Sequence, residues 1–150
     1  MLKIKQKGFD MIQVILIIAL FLALTAIAVP SLRQFQTSNQ LDTAVTELVQ
    51  NLRRAQSKAI TGLQGDAWGV YFAEQNYTIF AGTDWNSHDN AADEVYILPG
   101  GFNLTTDFGN QLIWSAINGR PINFGNITLS NSAGASEIIT INQAGIIDYR

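Results

Sequence analysis

Residues 11–29, MIQVILIIALFLALTAIAV, are nineteen consecutive positions broken only by Gln13 and Thr25, and Pro30 closes the run. At about 1.5 Å per residue, a helix over residues 9–29 would span roughly the 30 Å hydrocarbon layer of a bilayer. Everything after Pro30 is far more polar. The chain therefore reads as one apolar helix carrying a small water-facing head. Three fates fit the apolar stretch. Lys3, Lys5 and Lys7 ahead of it, with Ala26-Ile27-Ala28 as an A-x-A site, suit a cleaved secretory signal. The same lysines suit an uncut single-pass anchor with its basic end held in the cytoplasm. A third fate is a cut before the apolar run, between Gly8 and Phe9.

The third fate rests on a resemblance. MLKIKQKG followed by FDMIQVILIIALFLALTAIAVPS resembles the leader of type IV pilins and type II secretion pseudopilins. Gly8, Phe9, the apolar run and Pro30, twenty-two positions after the cut, match that pattern in register. The resemblance implies a leader of residues 1–8 removed by a prepilin peptidase, and N-methylation of the new terminus at Phe9. It implies a transmembrane helix over 9–30 that becomes filament core, an amphipathic helix over 31–62 and a β-rich head over 63–150. One position departs from the family: Gln13 stands where a glutamate usually neutralises a neighbouring subunit's amino terminus. A charge left unpaired in hydrocarbon is costly, and neutral Gln13 offers only a hydrogen bond. Asp10 could supply the missing charge, or could simply suit a helix N-terminus. Family members lacking the glutamate tend to be minor or tip-located subunits, so the resemblance points to a minor pilin or H-type pseudopilin.

The chain has no cysteine, which excludes disulfide staples and thiol chemistry. Of nine Lys/Arg, three lie in the leader, leaving six against twelve Asp/Glu. So acidic a surface has no broad attraction for phosphate backbones, which argues against nucleic acid as the main partner.

After Pro30, residues 31–62 contain no glycine or proline before Gly62. Leu41, Val45, Leu48, Leu52, Ala55 and Ala59 recur every three or four positions, the stripe of a helix with one covered face. Gly62 suits the position just past its end, and Lys58 suits its last turn. Pro30, lacking an N–H, predicts a kink or a melted turn. Arg53, Arg54 and Lys58 are the only basic cluster after the leader. They read either as a contact for an acidic partner or nucleic acid, or as a solvated helix face. The stretch LRRAQSKAITG also resembles the end of the first helix in the GspH/FimT group of pseudopilins and minor pilins.

From Asp66 the period becomes two. Trp68, Val70 and Phe72 alternate with Ala67, Gly69 and Tyr71, and Glu74-Gln75-Asn76 turns the chain into a partner strand over 77–81. Further strands are expected over 95–98, 102–106, 111–115, 122–124, 127–130, 137–141 and 146–149, punctuated by Gly and Asn turns. Such a sheet must cover one face, and the helical stripe is the available partner. The class is α+β: a pilin-like fold with a long N-terminal helix packed on an antiparallel β head, perhaps with a second small sheet. LPGGFNL, LIWSAINGRPINFGNITLS and IITINQAGIIDYR resemble the closing strands of GspH/FimT heads. The DNA-binding members of that group are associated with a basic C-terminal region, where this chain has only Arg120 and Arg150.

Residues 82–94, GTDWNSHDNAADE, form the obvious loop. Its carboxylates could attract calcium, but histidine is a poor calcium ligand and the spacing matches no calcium motif. His88 is the only histidine, so a catalytic triad would need this loop, and neither a zinc pair nor a phosphate loop is present. No enzyme, cofactor or metal is expected. Trp68 and Trp114 fall in strands and read as core; Trp85, in the loop, is the candidate for an exposed contact such as a sugar surface.

Overall fold

The computed structural model describes residues 11–62 and 67–149, with side-chain surroundings for 11–25, 39–62 and 67–149. The leader and the junction residues Gly8, Phe9 and Asp10 lie outside the described residues. The chain divides into two compact units, Met1–Gln36 and Thr37–Arg150.

One helix, α1 (Met11–Ile60), contributes to both. Pro30 does not interrupt it, so the melted turn is not found. Losing one ladder bond, about 3 kcal/mol, does not open a helix that propagates from both sides. In the first unit every residue over 11–25 is exposed, Gln13 among them, and the large apolar ones run from 43% at Val14 to 81% at Met11. Among the described residues no helix is long and apolar enough to cross a membrane. Residues 11–25 amount to about 22 Å of helix.

The second unit is the head. Among the described residues it has eight strands: β1 (Trp68–Phe72), β2 (Asn76–Ala81), β3 (Glu94–Ile97), β4 (Phe102–Thr106), β5 (Gln111–Trp114), β6 (Gly125–Asn131), β7 (Ser136–Ile141) and β8 (Ile147–Tyr149). They make two four-stranded antiparallel sheets, ordered β3-β2-β1-β5 and β4-β6-β7-β8. The second sheet thus equals the first. The β1–β2 hairpin pairs Trp68 with Ala81 and Phe72 with Tyr77. The predicted strand over 122–124 does not form. Pro121 makes only an isolated bridge to Trp114, and Ile122 and Phe124 are exposed. Ile122 N still donates to Ile113 O at 2.8 Å, but the Asn123 side chain then donates to Gln111 O at 3.2 Å, the acceptor a continued ladder would use.

The helical stripe packs as expected. Leu41, Val45, Leu48, Leu52, Ala55 and Ala59 are all buried, in one cluster with Trp68, Val70, Ile79, Leu112 and Trp114 of the first sheet and Ile127, Leu129 and Ile139 of the second. Gly62 closes the helix at φ 61°, its N–H donating to Ala59 O at 3.2 Å. Positive φ is cheap only for glycine, which explains the residue.

β1 is covered on both faces, contrary to a simple alternation. Ala67, Phe80 and Ile113 form a second small cluster, with Tyr71 and Trp85 packed on it. Gly69 makes room for this layer: a Cβ there would stand 2.5 Å from Phe80 Cζ.

β3 is an outer strand of its sheet, with Val95 62% and Ile97 82% exposed. It ends at Leu98-Pro99, where the chain crosses to the other sheet.

Candidate functional site

The polar residues singled out by the sequence converge on two structures within the head. The first is where α1 meets β3. Arg54 reaches Glu94 at 3.1 Å and donates to the Tyr96 hydroxyl at 3.0 Å. Tyr96 donates to the other side of the network, its hydroxyl 3.0 Å from Glu94 Oε2. Lys58 donates to Glu94 Oε1, and its ammonium lies 4.1 Å from the Trp68 ring centroid. One turn back, Asn51 Nδ2 donates to the Tyr77 hydroxyl at 2.8 Å, and Tyr77 stacks on Tyr96 with centroids 5.2 Å apart. Burial pushes the Tyr77 phenol up to about 12. Burial also opposes the charge on Glu94, but the hydrogen bonds from Lys58 and Tyr96 and the charges of Lys58 and Arg54 outweigh it and hold the carboxyl below its usual range. Arg53 is engaged too, donating to Ile147 O of β8 at 3.3 Å.

The basic cluster is therefore a solvated face, with Arg53 and Arg54 exposed, whose cations are at the same time engaged within the head. It fastens the outer strands of both sheets to the helix.

The second structure is the loop of residues 82–94. Asp84 and Asp89 each cap a short 3-10 turn, Trp85–Ser87 and Asn90–Ala92, by accepting from Asn86 N at 3.2 Å and Ala91 N at 3.0 Å. Asp93 faces His88 Nε2 at 3.0 Å, and Glu94 belongs to the helix contact. These carboxylates serve different partners and do not converge as a calcium cage would require. Among the described residues no group of three metal-ligating side chains is found.

Trp85 is not the exposed contact expected of it. It stacks on Tyr71 at 4.3 Å and on His88 at 4.4 Å, meets Phe80 edge-on at 5.4 Å, and its backbone N–H donates to Gln111 Oε1 at 3.0 Å. The loop is thereby clamped to the outer face of the first sheet. Trp68 and Trp114 are buried, as read.

His88 locks the clamp. Its Nδ1 donates to Trp85 O and its Nε2 faces Asp93, so both nitrogens are satisfied as donors only in the imidazolium. Burial works against that charge, but the Asp93 hydrogen bond, the Trp85 carbonyl and the charges of Asp93 and Asp89 prevail and raise the pKa above 6.5. A raised folded pKa gives stability that is fully present below the unfolded value and lost as pH rises through the folded one. The head's melting temperature should therefore fall as pH rises from about 6 through neutrality. A His88→Gln chain should lack that step; a step of equal size would clear His88 of the role.

No family model matches the chain. Over 107 residues it is 26% identical to the type IV major fimbrial protein FimA of Dichelobacter nodosus, and the match takes in 71% of this chain. The chain spans 64% of the length of that relative. The structure superposes on the type IV minor pilin FimU of Pseudomonas aeruginosa with a TM-score of 0.61, at 18% identity, covering 77% of this chain and 92% of that one. The fold is pilin-like. The minor pseudopilin EpsH of the Vibrio cholerae type 2 secretion system agrees, with a TM-score of 0.58 at 14% identity, over 74% of this chain and 96% of its own.

In the pilin-like head, three contributors went unread in the sequence. Glu94 and Tyr96 hold the helix from 36 to 42 residues away, a separation that no local pattern encodes. Gln56 Nε2 donates to both Gly119 O and Gly145 O at 3.0 Å, tying two loops to the end of α1. Gly119 and Gly145, both at positive φ, were visible as turn residues, but nothing marked their shared partner.

Proposed function

We propose that this chain is a non-enzymatic structural subunit of a type IV pilus or a type II secretion pseudopilus. The observation that carries the reading is the combination of a pilin-like head with an apolar helical stretch exposed on all sides over residues 11–25. A helix apolar all round needs hydrocarbon or other such helices around it. On this reading a prepilin peptidase removes residues 1–8 after Gly8 and Phe9 is N-methylated. Residues 9–30 anchor the chain in the cytoplasmic membrane with the head outside, and later pack among other subunits as filament core. Asp10 and Gln13 lie where a neighbour's terminus is neutralised, and Pro30 marks the end of the core segment. The minor-subunit role is favoured by Gln13 and by the minor pilin and minor pseudopilin neighbours. The alternative of an adhesin or DNA-uptake subunit drew on the loop of residues 82–94 or the basic cluster, and Trp85, His88, Arg54 and Lys58 in them are engaged in contacts within the head.

The test is the N-terminus and intact mass of the chain purified from its native membrane. A start at methylated Phe9 is expected. A start at Val29 would make this a conventionally secreted domain, and an intact Met1 would leave a plain anchor; either would end the filament reading.

A further inference from the structure

We propose that the loop of residues 115–121 and the hollow beside it form a contact between two copies of this head. The inference rests on the filament-subunit reading and names the face through which such copies meet. Ile117 is the only non-glycine residue at positive φ among the described residues, at 74°. β-Branched side chains avoid that conformation. Ile117 is also 81% exposed, so no packing within the head offsets the strain. The loop is held firmly in this shape. Ile117 N donates to Ala59 O at 3.0 Å, Gln56 holds Gly119 O, and Asn118 Oδ1 accepts from Arg120 N at 3.0 Å. Glycine or asparagine would take the backbone position with less strain. An isoleucine displayed outward on a rigid loop is what a partner would use, since little ordering is needed on contact.

Arg120, beside it, is exposed and has no carboxylate at ion-pair distance among the described residues. Residues 63–150 contain one other Lys/Arg, Arg150, against nine Asp/Glu. A second copy of the head therefore offers Arg120 a predominantly acidic surface. Asn142 borders both Arg120 and a hollow of about 530 Å³ whose walls include Ile138, Ile146, Asp148 and Tyr149. Ile138, Ile146 and Tyr149 are 47%, 62% and 46% exposed, apolar surface left open on and beside β7 and β8. Ile117 of one copy enters this hollow in another, and Arg120 meets Asp148.

The absence of cysteine makes the test clean. Full-length Ile117→Cys and Ile146→Cys chains are co-expressed in the native membrane and treated with a short bis-maleimide. A cross-linked dimer should exceed, by about tenfold, that from either variant alone or from Ile117→Cys with Ala133→Cys. Arg120→Asp should abolish it and added Asp148→Arg restore it. Yield no greater than the controls, or loss without rescue, would overturn the contact, as would cross-linking to a different protein instead. Ile117→Gly should leave the head's melting temperature unchanged or raise it; a fall would show that Ile117 serves the head's own stability and sink the proposal. Chains that start at Phe9 but do not cross-link would remove this contact alone. A cross-link between chains not processed at Phe9 would remove the filament reading alone.

Discussion

Leu52→Ala should lower the stability of the head by about 2–5 kcal/mol, the range for emptying a fully buried leucine site. Leu52 is 0% exposed, on a helical stripe that shares one cluster with both sheets. The cavity cannot collapse easily, because its lining belongs to three separate elements. For a domain of this size the loss corresponds to roughly 10–20 °C in melting temperature, read from near-UV circular dichroism of the full chain in detergent. Leu22→Ala is the control. Leu22 is 65% exposed in the other unit, and its truncation should not move the head's transition. If both variants melted alike, the second half of α1 would not be the backing of the head.

Glu94→Gln should cost about 1–3 kcal/mol, because one carboxylate serves Lys58, Arg54 and Tyr96 together. Glutamine keeps an acceptor but not the charge, leaving Lys58, only 16% exposed, without its counterion. The pH dependence has a definite sign. Glu94 is depressed below 4.5 in the folded head, so its contribution is present above that value and lost as pH falls through the folded pKa. Wild type should lose stability in acid below about pH 4.5 more steeply than the variant, followed as melting temperature against pH. Curves that remain parallel would remove Glu94 from the acid response.

What could be read beforehand follows the range of the forces. The stripe from Leu41 to Ala59 was legible because helix period and burial coincide over five turns of local sequence. The β1–β2 hairpin was legible because Trp68, Val70 and Phe72 alternate and a polar turn separates them from Tyr77. Residues 122–124 misled because Ile-Asn-Phe has strand composition, while the Asn123 side chain takes the Gln111 carbonyl that a continued ladder would use. The second layer over β1 was hidden: Gly69 and Ala67 look like the solvent side of a strand until Phe80 and Trp85 cover them. Arg53, Arg54 and Lys58 looked free for the same reason, since their partners are remote in sequence. Gly8, Phe9, Asp10, Gln13 and Pro30 were legible only through a resemblance, and they await the N-terminal measurement.

The outer strand β3 has a consequence for how the head meets other chains. An unpaired strand edge invites another chain to add to it. This edge is four residues long, and an antiparallel ladder alternates its bonds, so roughly two N–H groups point away from β2. Pro99 then removes the next donor but one, just where the chain leaves the sheet. Val95 and Ile97 are thus left bare on a seam too short to zip. The head can carry apolar side chains in the open and still offer a stray strand almost nothing to hold.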